Sequence, residues 1–408
     1  MKELLSPAGN MECLKAAVNN GADAIYLGGK TFGARAYAGN FSNEELKEAV
    51  NYAHLYGVKI YITVNTIIYN TEVDELIKYI EYLYKIGVDA LIMQDIGMIS
   101  LVRKVFPNME VHASTQCHNH NNEGIKLLKE LGVTRIVLDR EMSLEEIENI
   151  DVDIEKEVFI HGALCNCYSG CCLFSFMNGG RSGNRGECTQ VCRLPFKLIK
   201  NGEYVNNESK YLLSTKELNT ISNFDKLMNS DIVSFKIEGR MKTPEYVATV
   251  TRIYRKYIDL AEALINTQKF IDEENLDIYD FKENTTNESK YIINENDRKT
   301  LLQAFNRGMS SSGHLLNEPN KNLVFKDKPN NMGLFLGKVQ KYNKNKGYIT
   351  VKLQESIEIG DTISLEKEKE EYTEKNKVME DNIYSSLMTS IKNDEYFTKI
   401  NEDNYNIE

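Results

Sequence analysis

Neither His-Glu-x-x-His nor Gly-x-Ser-x-Gly occurs in the 408 residues. The chain therefore has neither the ligands of that zinc-protease class nor the nucleophile elbow of a serine hydrolase. No cysteine stands in a papain- or caspase-like context. The first strand-helix turn, "SPAGNMECL", lacks a full dinucleotide fingerprint, which disfavours a doubly wound open sheet. Long apolar runs are missing too, so no bilayer span is expected. The opening "MKELLSPAGN" has no basic-then-apolar leader, and the expectation is a cytoplasmic protein in a reducing setting. Basic excess is absent: 49 Lys and Arg face 60 Asp and Glu, a formal charge of −11. That excludes a general nucleic-acid coat, so any polyanion would have to be held by a local basic patch. Cysteine is scarce over most of the chain. Only Cys13 and Cys117 lie outside one stretch, His161 to Arg193, which holds the other six of eight.

The apolar content of 42% and charged content of 27% are those of an ordinary globular protein, and this length predicts two or three domains. Over the first 165 residues short β-branched runs alternate with amphipathic helical segments. "KELLSPAG", "DAIYLGG", "KIYITVN", "DALIMQD", "EVHASTQ", "RIVLDRE" and "EVFIHGA" read as strands. Before four of them stands the same punctuation, Gly21-Ala22, Gly57-Val58, Gly87-Val88 and Gly132-Val133, as at a helix C-cap followed by a buried strand. An eighth strand, "DIVSFKIEGR", precedes the long amphipathic helix "PEYVATVTRIYRKYIDLAEAL". Eight strand-helix units in about 260 residues predict an α/β fold, a TIM-type (β/α)8 barrel spanning 1–265.

Between the seventh and eighth strands lie about 70 residues, far more than an ordinary connection. They carry the cysteine loop (161–200), a hairpin "FKLIKNGEYV" turning at Asn-Gly, and a helix expected to open at "STKE", a capping-box pattern. Such an insertion belongs on the catalytic face of a barrel. Residues 266–330 read as a helical or linker segment, and 331–408, with alternating strands and Gly turns, as a small C-terminal β-barrel module.

Within the cysteine loop, Cys165, Cys172, Cys188 and Cys192 are spaced C-x6-C-x15-C-x3-C, with Cys167 and Cys171 inside the first pair. Four thiolates on a glycine-rich loop suit zinc or an iron–sulfur cluster. Neither arm has the tight C-x2-C knuckle of structural zinc, whereas a cubane tolerates wider spacing. The competing bland reading is a set of surface thiols or small apolar residues. Arg181, Arg185, Arg193, Lys197 and Lys200, opposed from 179 to 200 only by Glu187, form the local basic patch, and the first four are expected to touch RNA. Tyr168, Phe174 and Phe176 interleave aromatics in the same loop, compatible with base stacking or with a small apolar core.

The block "EVFIHGALCNCYSGCCLFS" resembles the signature of the peptidase U32 family, the collagenase-like proteins. Glu157, Phe159, Gly162, Ala163, Leu164, Cys165, Gly170, Cys172 and Ser175 stand at the expected positions, and Phe174 departs from the usual aliphatic residue. "LLSPAGNMECLKAAVNNGADAIYLGG", "GNRGECTQVCR" and "SFKIEGRMKTPEYVATVTRIYRKYID" agree as well. The resemblance implies an RNA-modifying hydroxylase, closest to the branch forming 5-hydroxyuridine at the tRNA wobble position. It implies oxygen-independent chemistry with prephenate as co-substrate. It also implies a [4Fe–4S] cluster on Cys165, Cys172, Cys188 and Cys192, and possible pairing with a second member of the family. A U32-type peptidase, with Cys165 and His161 as its thiol pair, and a non-catalytic RNA-binding partner are the alternatives.

In a barrel the strand C-termini face the reaction centre. His161, Glu238 and Asp95 are the candidate catalytic residues, His161 as proton carrier. Asn10, Asn65, Gln94, Gln116, Arg140, Lys236 and Arg240 are candidates for gripping a small dicarboxylate or a flipped-out pyrimidine. Each has a structural competitor, since barrel mouths also use such residues for caps and internal ion pairs. His118 and His120 read as surface residues.

Overall fold

The computed structural model describes residues 2–36, 38–205, 210–273, 292–344 and 346–357, with 363, 365, 406 and 407. The chain divides into two compact units, Met1–Gly333 and Leu334–Glu408.

In the first unit seven parallel strands follow one another: β1 (Glu3–Pro7), β2 (Ala24–Leu27), β3 (Lys59–Val64), β4 (Ala90–Met93), β5 (Glu110–Ala113), β6 (Arg135–Val137) and β7 (Glu155–Ala163). After β7 come a two-stranded hairpin, β8 (Ile199–Lys200) and β9 (Glu203–Tyr204), then β10 (Glu217–Asn219) and β11 (Ser234–Ile237). β11 runs parallel to both β7 and β1 and so closes an eight-stranded barrel. Helices α1 (Met11–Asn19), α2 (Asn43–Leu55), α3 (Val73–Lys85), α4 (Ile96–Val105), α5 (Asn122–Glu130) and α6 (Leu144–Glu148) fill the crossovers between the first seven strands. Past β7 the helices are α7 (Phe174–Gly179), α8 (Phe224–Met228) and α9 (Pro244–Glu273).

The four punctuating glycines end α1, α2, α3 and α5 at φ of +88°, +73°, +84° and +91°. They take the left-handed turn that a side chain disfavours. Helix starts are fixed just as locally: Ser42 and Glu45 form a reciprocal capping box on α2.

Alternation then divides the side chains. Ile25, Ile60, Ile62, Leu91, Val111, Ile136 and Phe235 face outward into the helix-covered core, at about 1.5–3 kcal/mol for each large side chain removed from water. Leu5, Ala24, Tyr26, Tyr61, Ala90 and Ile92 form the apolar layer inside the barrel. Beside it runs a buried ionic column. Glu157, fully buried, accepts from Lys236 Nζ at 2.8 Å and lies 3.4 Å from Arg135. Arg135 pairs with Glu3 and, at 2.8 Å, with Glu155. Tyr61 donates to Glu3 at 2.7 Å, and Ser234 donates to Glu3 and Glu157 at 2.9 and 3.2 Å.

The segment between β7 and β11 is tied back to the barrel. β10 pairs antiparallel with the end of β7, Asn219 opposite His161, and β12 (Ser310–Ser311) adds to β10. The hairpin turns at Asn201 and Gly202, both at positive φ, as Asn-Gly predicts. "STKE" opens no helix. Its hydroxyls are claimed by Arg193, which donates to Ser214 Oγ at 2.9 Å and Thr215 Oγ1 at 2.8 Å, and Glu217 enters β10 buried beside Arg307. Tertiary partners override the local capping signal here. Gly162, at φ +105°, has no room for a side chain: a Cβ there would lie 2.4 Å from the carbonyl oxygen of Glu238. Gly162→Ala should lower stability by about 1–3 kcal/mol in urea unfolding, with no change in the denaturant slope.

The stretch expected as a helical or linker segment is part of the barrel unit where it is described. α10 (Glu295–Ala304) packs on α9, Asp297 accepting from Lys256 at 2.6 Å and from Tyr257 at 2.8 Å. Residues 274–291 lie outside the described residues. In the second unit β13 (Gly337–Asn343) and β14 (Tyr348–Leu353) form an antiparallel hairpin, joined by β15 (Asn406–Ile407). The remainder of the expected C-terminal β-barrel falls outside the described residues. Among the described residues no helix is long and apolar enough to cross a membrane.

Candidate functional site

The C-terminal mouth of the barrel is centred on Glu238, one residue beyond β11. Its carboxylate accepts from Arg140 at 2.6 Å and lies 3.8 Å from Arg35. Burial alone would raise its pKa, but Arg35, Arg140, Lys236 and Arg240 more than offset that and hold it below the usual carboxylate range. Arg140 also lies flat on Phe159, 3.8 Å from the ring centre, and Lys236 lies 4.5 Å from the centre of Tyr26. Arg240 is 4% exposed and donates to Thr63 at 2.9 Å and to Asn40. Burial pulls its pKa down to about 10. Gly28 exists to admit it, since a Cβ there would lie 2.2 Å from the guanidinium. The Nε atoms of Arg140 and Arg240 and the Oε1 of Gln94 are buried without a hydrogen bond. A mouth with several cations around one carboxylate, and with idle buried donors, is built to take an anion.

The cysteine loop stands beside this mouth. Arg140 Nη1 lies 3.8 Å from Cys165 Sγ. Burial pushes the Cys192 thiol up, and the thiols of Cys165, Cys188 and Cys172 push it the same way against Arg193, so each of the three lies within electrostatic reach of Cys192. Cys188 Sγ receives the backbone N–H of Gln190 at 3.4 Å and the Ser175 hydroxyl at 3.8 Å. Gly183 brings the chain against Cys172 and Cys188, its would-be Cβ 3.9 and 3.7 Å away. Among the described residues no three of His, Cys, Asp and Glu converge so as to hold one metal ion. Cys167 is beside Cys172, which with burial raises its pKa. Cys171 Sγ lies 3.5 Å from His118 Nδ1.

Other expected site residues are engaged differently. Asn65 donates to Gln116 at 3.2 Å and accepts from the Ala34 N–H, which ties together the loops after β3, β5 and β2. Asn10 and Asp95 are helix caps. Asn10 accepts from Cys13 N at 2.9 Å, and the two Asp95 oxygens accept from Met98 N and Ile68 N, both at 3.1 Å. Of the basic patch, Arg193 is the internal clamp already described and also donates to the Leu164 carbonyl at 2.9 Å. Arg185 makes a two-point pair with Glu72 at 2.6 and 2.9 Å. Arg181 and Lys197 are exposed, Lys197 over Tyr204. Phe174 stacks on Phe196, whereas Tyr168 and Phe176 are exposed.

His161 is not at the mouth. A register shift between Lys236 and Ile237 brings it opposite Ile237, and its ring packs against Tyr246 and Tyr254, with Nδ1 3.3 Å from the Tyr254 oxygen. Burial, with a smaller push from Lys242, drops its pKa to about 3, so at working pH it is the neutral imidazole, with one ring N–H and no imidazolium proton to give. Its folded pKa lies below the unfolded value of about 6.5, so the unfolded chain binds more protons between pH 6.5 and 3. Stability should therefore be full above about pH 6.5 and fall by up to about 1.4 kcal/mol per unit below it. Urea titrations at pH 7 and 5 should show this slope in the wild type and lose it in His161→Phe.

Sequence reading missed Arg35, Tyr26 and Arg135, and saw Phe159 and Glu157 only as signature positions, without their places beside Arg140 and in the ionic column. Arg35 sits in a loop with no strand-end signal, whereas Glu157 could have been noticed as a charge at an inward strand position.

The family model described as peptidase family U32 matches residues 9–324. The chain is 38% identical over 365 residues to a 23S rRNA 5-hydroxycytidine synthase of Escherichia coli, covering 89% of this chain and 52% of that one. It is 44% identical over 265 residues to the tRNA hydroxylation protein P1 of Bacillus subtilis, covering 63% of each. It is 35% identical over 379 residues to an uncharacterized protease of Methanocaldococcus jannaschii, covering 89% and 86%. The chain thus spans between half and two thirds of the length of the first two relatives. With a family match running through the barrel, the cysteine loop and the segment that follows it, the chain belongs to peptidase family U32.

Proposed function

We propose that this chain hydroxylates a pyrimidine in RNA, a tRNA wobble uridine at C5, with prephenate as hydroxyl donor and an iron–sulfur cluster on Cys165, Cys172, Cys188 and Cys192. The observation that carries the reading is the adjacency of four neighbouring thiols to a cation-rich barrel mouth, in a chain whose relatives are named for RNA hydroxylation. A cluster there would supply an electron carrier or a Lewis-acidic iron. Arg140, Arg35 and Arg240 would bind the two carboxylates of the donor, with Glu238 offsetting the mutual repulsion of the guanidinium groups until the ligand arrives. Asn65 and Gln116 would orient a polar group at the rim, and Phe159 and Tyr26 close the floor against water. Nucleoside mass spectrometry of tRNA and rRNA from a strain lacking the gene tests this. One hydroxypyrimidine should disappear and return with the wild-type gene, and an unchanged nucleoside profile would refute the reading.

A thiol-peptidase reading has one observation in its favour, the 3.5 Å approach of Cys171 to His118. The Cys165–His161 pair expected from sequence is not formed: Cys165 neighbours Arg140 and His161 faces Tyr254. Peptide or gelatin cleavage that is lost in Cys171→Ser would support it.

A further inference from the structure

Beside the mouth lies a second recess that no part of the anion site uses. It is a cavity of about 260 Å³, between the loops that follow β2 and β3, with Arg185 of the cysteine loop on its wall. Its inner side adjoins the mouth, because Asn40, which lines it, accepts from Arg240. Its outer wall is built by docking. Ala36 N–H donates to Gly186 O at 3.2 Å and Ile67 N–H to Asn184 O at 3.3 Å, while Gly186 sits so close to Gly33 that a Cβ would lie 2.6 Å from its carbonyl oxygen. The cavity therefore exists only because the cysteine loop is seated on the barrel.

Charge decides what it takes. Arg185 and Glu72 neutralise each other in their two-point pair. That leaves Lys30 and Glu75 on the lining, exposed, and neither makes an ion pair among the described residues. With Glu45 close enough to feel the Lys30 charge, and Glu75 on the lining itself, there is no positive excess, so a dicarboxylate gains little here and belongs with the arginines around Glu238. A flat neutral ligand with donors and acceptors on one edge gains from both. Phe32 offers the apolar wall.

We propose that this cavity receives one unstacked pyrimidine of an RNA strand, its edge met by Lys30 and Glu75 and its face by Phe32. Uracil presents N3–H between two carbonyl oxygens, and cytosine presents its amino group beside acceptors. Either pattern gives Glu75 a proton to accept and Lys30 an oxygen to reach. Arg185 of the wall follows Gly183 by two residues, and Gly183 abuts Cys172 and Cys188, so a base held here lies next to the cysteine loop. The inference rests on the RNA reading and deepens it.

The test is photo-cross-linking of a transcribed tRNA pool carrying 4-thiouridine to the full chain, with the cross-linked peptides mapped. In the wild type the adducts should fall within residues 29–36 or 66–75. Ala36→Phe, which fills the cavity from an exposed position, should reduce them about tenfold or more without moving the unfolding midpoint. Lys30→Ala, at an exposed side chain, should reduce them as well and serves if the first variant folds poorly. Undiminished adducts in both variants would overturn the pocket, as would adducts mapping elsewhere while deletion of the gene still removes the hydroxypyrimidine. No adduct with any RNA would overturn the pocket and the RNA reading together.

Discussion

Cys188→Ser, purified without oxygen, should be colourless, its iron fallen from about four atoms per chain to near zero, and it should restore no hydroxylated nucleoside in a strain lacking the gene. The size of the effect follows from the chemistry of the corner. A serine hydroxyl is not ionised at neutral pH and cannot replace a thiolate as a soft ligand. The fold should survive, because beyond the two contacts its sulfur accepts, from the Gln190 N–H and the Ser175 hydroxyl, other bonds order the loop around Cys188. Ser175 Oγ holds both the N–H and the hydroxyl of Thr189, at 3.0 and 3.1 Å, and Arg193 clamps Leu164, Ser214 and Thr215. An unfolding midpoint close to wild type together with lost colour is the expected pair of readings. Cys171→Ser is the control: Cys171 faces His118 and should keep its iron. Wild-type protein that is bare of iron and sulfide when made anaerobically, or a Cys188→Ser protein as brown as wild type, would remove the cluster from these four residues.

Glu157→Ala should be the most destabilising single change in the barrel, costing about 3–5 kcal/mol. The carboxylate is fully buried and is shared by Lys236 and Arg135, themselves 4% and 6% exposed. Without it two cations stay in the barrel interior with less compensation, and Ser234 loses an acceptor. Burial alone would push the Glu157 pKa up, yet Lys236, Arg135 and His112 hold it below the ordinary carboxylate value. The charge is thus stabilised by its partners rather than merely tolerated. The urea midpoint, followed by circular dichroism because the chain has no tryptophan, measures the loss. A double-mutant cycle with Lys236→Met should recover part of it. A cost under about 1 kcal/mol would mean that water reaches this column and that it is not the buried network described here.

Much of the architecture was readable before any coordinates. The recurring glycine before four of the buried strands and the eight β-branched runs point to the barrel, because helix caps and strand burial are decided within a few residues of chain. The cysteine loop announced itself by composition. Asp95 and Asn10 show the limit of that reading: a polar residue at a strand end is either a site residue or the cap of the next helix, and sequence cannot say which. Arg185 and Arg193 show it again, since a basic residue in a loop reads as a nucleic-acid contact until its partner, Glu72 or Thr215, is known.

What the sequence determined alone is therefore local: where helices stop, which runs are buried, the Asn-Gly hairpin, and the gathering of thiols. What only the tertiary structure decided is which charges meet. The register shift that turns His161 to Tyr254, the convergence of Arg35, Arg140, Lys236 and Arg240 on Glu238, and the seating of the cysteine loop over the loops after β2 and β3 join residues up to about 200 positions apart. The reason is physical: burial and hydrogen bonding within a turn depend on neighbours in the chain, whereas the field at a buried charge depends on every group the closed barrel brings near it.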